Sequence, residues 1–238
     1  RMPGMTGVEL LRQVRTIAPD ALRLLLTGYT DLASLVGSIN EGEIFRFVKK
    51  PWDNDELRRD VAEAVKAALE HAGKAQPQPH AQSARSAGSL LVIDPKEGLA
   101  RGLERLLAGA ATVIQVKSAA EAAKALQGSE IAAIVADLGA GMDGLVALFK
   151  QVKAKRPGVL TILLADEPDS ELGIELINKA QIFRFLPKPV SAKDLRHEVS
   201  EALRRYSAFK AASALAEGAG GAGSTQAAAA RPELARAT

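Results

Sequence analysis

The sequence predicts an α/β protein built on doubly wound parallel sheets, with one complete copy of a five-unit βα module and the C-terminal half of a second. Three observations predict it. From Leu90 onward, short apolar runs alternate strictly with helical patterns, the order expected of a parallel sheet with helices on both faces. The runs end on polar residues, where such sheets carry their sites. A nine-residue phrase is also written twice, as Glu43-Ile-Phe-Arg-Phe-Val-Lys-Lys-Pro51 and Gln181-Ile-Phe-Arg-Phe-Leu-Pro-Lys-Pro189, 138 positions apart. The same offset sets Leu10 on Leu148, Gln13 on Gln151, Pro19 on Pro157, Asn40 on Asn178 and Leu57 on Leu195. A module present twice can be read against itself.

In the complete copy, Leu90–Ile93 is an unbroken apolar run with β-branched residues, the pattern of a strand covered on both faces. Asp94 ends it, and Pro95 suits the first turn of a helix carrying Leu99, Leu103, Leu106 and Leu107 at helical spacing. Thr112–Val116 is a second strand. Ser118 with Glu121 forms a capping box that opens an Ala-rich helix to about Gln127. Ile131–Ala136 is the third strand, followed by Asp137. A helix over Leu145–Lys155, a strand over Leu160–Leu164, a helix near Ser170–Lys179, a strand over Ile182–Leu186 and a helix from about Ala192 complete the series. Asp94, Asp137, Ala165 with Asp166, and Lys188-Pro189 therefore converge at one sheet edge. Two carboxylates and a lysine there suit a cation and a phosphate, though strand-end polar residues also serve as plain solvated turns.

Composition narrows the classes. Of 238 residues, 47% are hydrophobic and 4% aromatic, so the cores are aliphatic. Absence of cysteine removes disulfides, thiol catalysis and Cys-ligated metal. No apolar run approaches the ~20 residues that cross a membrane, and the opening Arg1-Met-Pro-Gly-Met does not read as a signal peptide. The net charge of +3 gives little support for nucleic-acid or membrane binding. There is no Gly-rich phosphate loop, nucleophile elbow or His pair at ligand spacing. An Asp94/Asp137 metal-dependent phosphatase would lack the upstream Asp-x-Asp nucleophile. The expectation is a non-enzymatic, cytoplasmic protein.

Arg1-Met-Pro-Gly-Met-Thr-Gly7, Leu24-Leu-Leu-Thr-Gly-Tyr-Thr-Asp31 and Phe47-Val-Lys-Lys-Pro-Trp-Asp53 resemble the second half of a response-regulator receiver domain. The resemblance covers about residues 1–70 and, more weakly, 89–208. It implies the flavodoxin-like (βα)5 receiver fold with strand order 2-1-3-4-5, in tandem. It also implies bacterial two-component phosphorelay signalling, in which a histidine kinase or phosphotransfer protein passes a phosphoryl group to an aspartate at the end of the third strand.

The family chemistry places Mg²⁺ between carboxylates of strands one and three, which here are Asp94 and Asp137. A Thr or Ser after strand four and a lysine after strand five contact the phosphoryl oxygens, and the proline after that lysine is commonly cis. These roles carry over to Thr27 and Lys50 in the first copy and to Lys188 in the second. Phe47 and Phe185 match the family's aromatic switch position; an ordinary sheet-packing aromatic is an equal reading of Phe47. The phosphoacceptor of the first copy falls two residues before Arg1, so a fragment is expected. Its strand four, about Arg23–Leu26, would present an unpaired apolar edge, and the half copy alone would bury too little to be stable.

In the second copy, setting Gly141-Met-Asp-Gly144 on Gly4-Met-Thr-Gly7 gives an offset of 137 and puts Ala136 at the acceptor position. Keeping 138 without a gap puts Asp137 there, the preferred alignment. Three departures weaken phosphorylation of this copy. Asp94 is followed by Pro95 and Lys96 rather than a second acid, Ala165 replaces the hydroxyl residue, and Asp166 adds negative charge. Two readings stand. Either the second receiver relays or tunes the response, or it is a pseudo-receiver serving receiver–receiver, dimerisation or output-protein contacts.

Residues 71–88 read as a Pro/Gln/Ala-rich linker that, if flexible, spans roughly 25 Å. The tail over 209–238 is Ala/Gly-rich and expected to be disordered. His71, His80 and His197 are too scattered for a metal site.

Overall fold

The computed structural model describes residues 4–5, 7–18, 21–28, 40, 44–72, 88–138, 144–166, 176 and 178–221. The C-terminal part forms a five-stranded parallel sheet from β3 (Ser89–Ile93), β4 (Val113–Val116), β5 (Ile131–Asp137), β6 (Leu160–Ala165) and β7 (Arg184–Pro187). Its order is β4-β3-β5-β6-β7, which is 2-1-3-4-5 within this part of the chain. This is the flavodoxin-like strand order. Helices α3 (Gly98–Leu107), α4 (Ala119–Gly128), α5 (Leu145–Lys155) and α6 (Ala192–Gly221) belong to this part. The sheet interior is nearly dry: every residue from Ile131 to Ala136 is buried, as are Leu90 to Ile93 and Ile162 to Ala165. Continuous apolar strands are what two helix-covered faces demand.

The N-terminal part holds α1 (Gly7–Ile17), β1 (Leu24–Thr27), β2 (Arg46–Lys49) and α2 (Asn54–Ala72), with β1 and β2 paired in parallel. Its elements repeat those of the second part at the sequence offset. Helices α1 and α5 start 138 residues apart, as do α2 and α6, and β2 and β7 match end to end. The ladder register repeats too: Leu24 faces Arg46 as Ile162 faces Arg184. Buried Arg46 pairs with Asp60 of α2, and buried Arg184 with Glu198 of α6. Asp53 caps α2 by accepting from the Asp55 and Glu56 amides, as Ser191 caps α6 by accepting from Asp194. Both Lys50–Pro51 and Lys188–Pro189 are cis. On the N-terminal part, Leu10, Leu26, Val61, Val65 and Leu69 remain exposed, and among the described residues no strand pairs with the free side of β1.

The two parts meet across the outer edges of β2 and β7. Asn178 Nδ2 donates to the Phe47 carbonyl at 2.8 Å, and its Oδ1 accepts from the Phe47 amide at 2.8 Å. Asn40 does the same to Phe185, at 2.6 Å and 2.9 Å. Arg46 Nη1 donates to the Asn178 carbonyl.

Several elements differ from the sequence reading. Helix α3 starts at Gly98 rather than at Pro95, because both Asp94 oxygens are taken by amides of the intervening turn and first helical turn (Lys96, 2.8 Å; Leu99, 3.0 Å). Strand β7 starts at Arg184 rather than Ile182; Gln181 before it sits at φ 47, and Phe183 already donates to the Thr161 carbonyl. Ser118 caps α4 as expected, but the Glu121 carboxylate reaches the Lys117 amide one residue further out (2.9 Å). The largest correction concerns the tail: residues 209–221 continue α6. Alanine is the best helix former, and Lys210 and Tyr206 anchor the helix on Glu130 while Phe209 lies over Gly158. Helix α2 likewise runs to Ala72, past the expected linker start. The linker residues 73–87, the tail 222–238, loop residues 139–143 and most of the helix expected near Ser170–Lys179 lie outside the described residues.

Candidate functional site

The C-terminal ends of β5, β6 and β7 surround an open depression of about 710 Å³, lined by Leu99, Asp137, Leu164, Asp166, Lys188, Pro189 and Val190. The ladder sets this up. Asp137 is level with Leu164, and Ala165 with Pro187, so the residues just past each strand end share one rim. Lys188 Nζ donates to both Asp137 oxygens at 2.6 Å and lies 3.5 Å from the exposed carboxylate of Asp166. The Asp137 and Lys188 side chains are 17% and 23% exposed, so this pair is only partly screened by water. Desolvation pulls the Lys188 ammonium down, but the hydrogen bond and charge of Asp137, helped by Asp166, outweigh it and raise its pKa. Lys188 thus stays cationic throughout the physiological range.

Asp94 is positioned by β3 next to Asp137, since Ile93 and Ala136 are in register. Its side chain is buried and spent on the two amides that start α3, so the expected trio reduces to an Asp137–Lys188 pair with Asp166 beside it. Ala165, buried at the end of β6, supplies no hydroxyl. Helices α1 and α5 have equal lengths and bounds 138 residues apart. Gly144, at φ 82 and with Ala119 Cβ 3.3 Å from where its own Cβ would stand, closes the loop onto α5 as only glycine readily can.

Mg²⁺ is implied by the resemblance, and the residues present do not fit it. A magnesium site needs octahedral oxygens with carboxylates free to bind. Both Asp137 oxygens hold an ammonium, both Asp94 oxygens hold amides, and Lys96 stands where a second acid would be. Among the described residues no group of three or more His, Cys, Asp or Glu is placed to hold a metal.

In the N-terminal part, Thr27 ends β1 and is in register with Lys49, next to Lys50. The two strand ends are close: a Cβ on Gly28 would lie 3.7 Å from Lys50 Cβ. Lys50 is exposed, with its ammonium 6.0 Å from the Trp52 ring centre. Phe47 and Phe185 are both buried in the core, level with Leu25 and Leu163. Asn40 and Asn178 were visible in the sequence as a matched pair, but only their placement shows what they hold. The signal was there: a polar residue repeated at the offset within otherwise divergent segments.

Comparison with known proteins finds partial matches to regulatory proteins. Over 67 residues the chain is 43% identical to the hydrogenase transcriptional regulatory protein HoxA of Cupriavidus necator, covering 28% of this chain and 14% of that protein. Over 109 residues it is 30% identical to the transcriptional regulatory protein FixJ of Bradyrhizobium diazoefficiens, covering 46% of this chain and 49% of that one. A solved signal receiver domain of an HD domain-containing protein from Pseudomonas fluorescens covers 50% of this chain and 95% of its own, at 24% identity and a TM-score of 0.46. No family model matches the chain. The chain thus spans about a seventh of HoxA and half of FixJ, and no helix among its described residues is long and apolar enough to cross a membrane.

Proposed function

We propose that the chain is part of a two-component response regulator with two receiver repeats, of which the second is a pseudo-receiver that works by contact and takes no phosphoryl group. The observation that carries this is Asp94: the lone acid after β3 is buried and both its oxygens are held by the Lys96 and Leu99 amides, so no acidic pair is left to bring a cation to Asp137. Ala165 and Asp166 add to it, one lacking the hydroxyl and the other supplying repulsion. The first repeat contributes Thr27 and Lys50 as phosphate contacts and Phe47 as the aromatic position, and its donor is a histidine kinase or phosphotransfer protein. Similarity to transcriptional regulators supports a regulatory output without naming it.

The retained Asp137 favours the second reading, a receiver that relays. One experiment separates them. The chain is incubated with acetyl phosphate and Mg²⁺, and acyl-phosphate is mapped by hydroxylamine sensitivity and peptide mass spectrometry. Peptides containing Asp137 should stay unlabelled. Stoichiometric, hydroxylamine-labile label on Asp137 would overturn the pseudo-receiver reading.

A further inference from the structure

We infer that the partner of the second repeat is the first repeat of the same chain, and that Asn40 and Asn178 are the residues that specify this pairing. The inference rests on the tandem-repeat reading above and names the contact through which the second repeat works.

In a parallel ladder, alternate residues of an edge strand turn both N–H and C=O away from the sheet. Phe47 on β2 and Phe185 on β7 are such residues. Left bare, these groups invite pairing with any other strand. A primary amide is the one neutral side chain with a donor and an acceptor side by side, so a single Asn can satisfy both groups at once. Here each repeat supplies the Asn that satisfies the other: Asn178 serves Phe47 and Asn40 serves Phe185. All four partners obey the 138-residue offset, so the contact has the self-complementary form of a two-fold interface. An isolated Asn on a strand edge could be incidental packing, but a reciprocal pair meeting the same backbone position in both directions is not.

Two further observations support the same surface. Arg46, in the strand that Asn178 holds, also donates to the Asn178 carbonyl. Flanking the Asn40 contact, Arg12 and Arg15 of α1 line a common cleft with Glu198, Glu201, Arg184 and Arg204 of the second repeat. Both repeats therefore contribute to this cleft, whose two acids are paired within the second repeat, Glu198 with Arg184 and Glu201 with Arg204 and Arg205. The clasp also bears on the sites. Phe47 lies three residues before Lys50 and Phe185 three before Lys188, so each Asn pins the strand that presents the other repeat's lysine.

Amide hydrogen exchange on the full chain tests this directly. Asn40→Ala should speed exchange of the Phe185 amide about tenfold, the loss expected when one hydrogen bond no longer protects it, and leave the Phe47 amide unchanged. Asn178→Ala should do the converse. Amides of β5, such as Val135, report folding in each variant and should stay protected. Asn40→Asp, which keeps the accepting oxygen, should retain more Phe185 protection than Asn40→Ala. If neither substitution deprotects the opposite repeat, or if wild-type protection at Phe185 rises with protein concentration, intrachain pairing is overturned. The acetyl phosphate experiment is indifferent to these outcomes, so failure of the clasp and failure of the pseudo-receiver reading are separately visible.

Discussion

Lys188 answers to Asp137 first and to Asp166 second, and that ranking makes the site a closed ion pair rather than a cation pocket. Lys188→Met would leave a partly buried carboxylate without its cation. Because the pair is partly solvated, the expected loss is about 1–2 kcal/mol in urea denaturation, below the figure for a fully buried pair. Adding Asp137→Asn to it should recover part of that loss. The raised Lys188 pKa means this contribution is complete below the unfolded value of about 10.5 and disappears only as pH rises through the higher folded value, so it is constant across neutral pH. Much of the site was legible in the residues. Asp137, Ala165, Asp166 and Lys188 were placed on one rim by strand ends alone. Asp94 was not: its carboxylate could serve a metal or a turn, and only the geometry of the Asp94–Leu99 loop shows that the amides claim it.

Helix α6 shows how an element can outrun its composition. Its Ala/Gly-rich end reads as disorder when counted, yet side chains just before that end tie the helix down. A Cβ on Gly158 would lie 2.4 Å from the Phe209 ring, so Gly158→Ala must displace that ring. The half-exposed ring can move outward, so the cost should be about 1 kcal/mol, seen as faster amide exchange over 206–212 with β5 unaffected. Acid should loosen the same helix. Burial raises the Glu201 carboxyl, but hydrogen bonds from Arg205 and Arg204 prevail and lower it. Glu130 is lowered chiefly by its hydrogen bond from Lys210. Both stabilising contributions are full above the ordinary carboxylate value of about 4.5 and fade as pH falls through the lower folded values. The thermal midpoint should therefore fall below about pH 4.5, and Glu201→Gln should flatten that dependence. The strands and α5 were legible because aliphatic runs and helical spacing are local signals. The start of α3 was not, since the Asp94 side chain claiming two amides decided it.

Across the molecule, the repeated phrase fixes more than two copies of one strand. Its second Phe in each copy, Phe47 and Phe185, offers backbone groups to an Asn of the other, and Arg46 and Arg184 within it tie each final strand to its own final helix. The five-stranded module was readable from its alternating pattern, and the offset pointed to a second copy, but the contact between the two parts was not readable, because nothing local in a sequence says which edge an Asn will meet. If the second part serves the first by contact, the two act as one body. The chain contains no cysteine, so spin labels can be placed cleanly on Arg58→Cys in α2 and Lys124→Cys in α4, both exposed. Pulsed electron–electron resonance should give one narrow distance distribution, broadened when Asn40 and Asn178 are both changed to Ala. A broad distribution in the chain with both asparagines intact, unchanged by their removal, would contradict it.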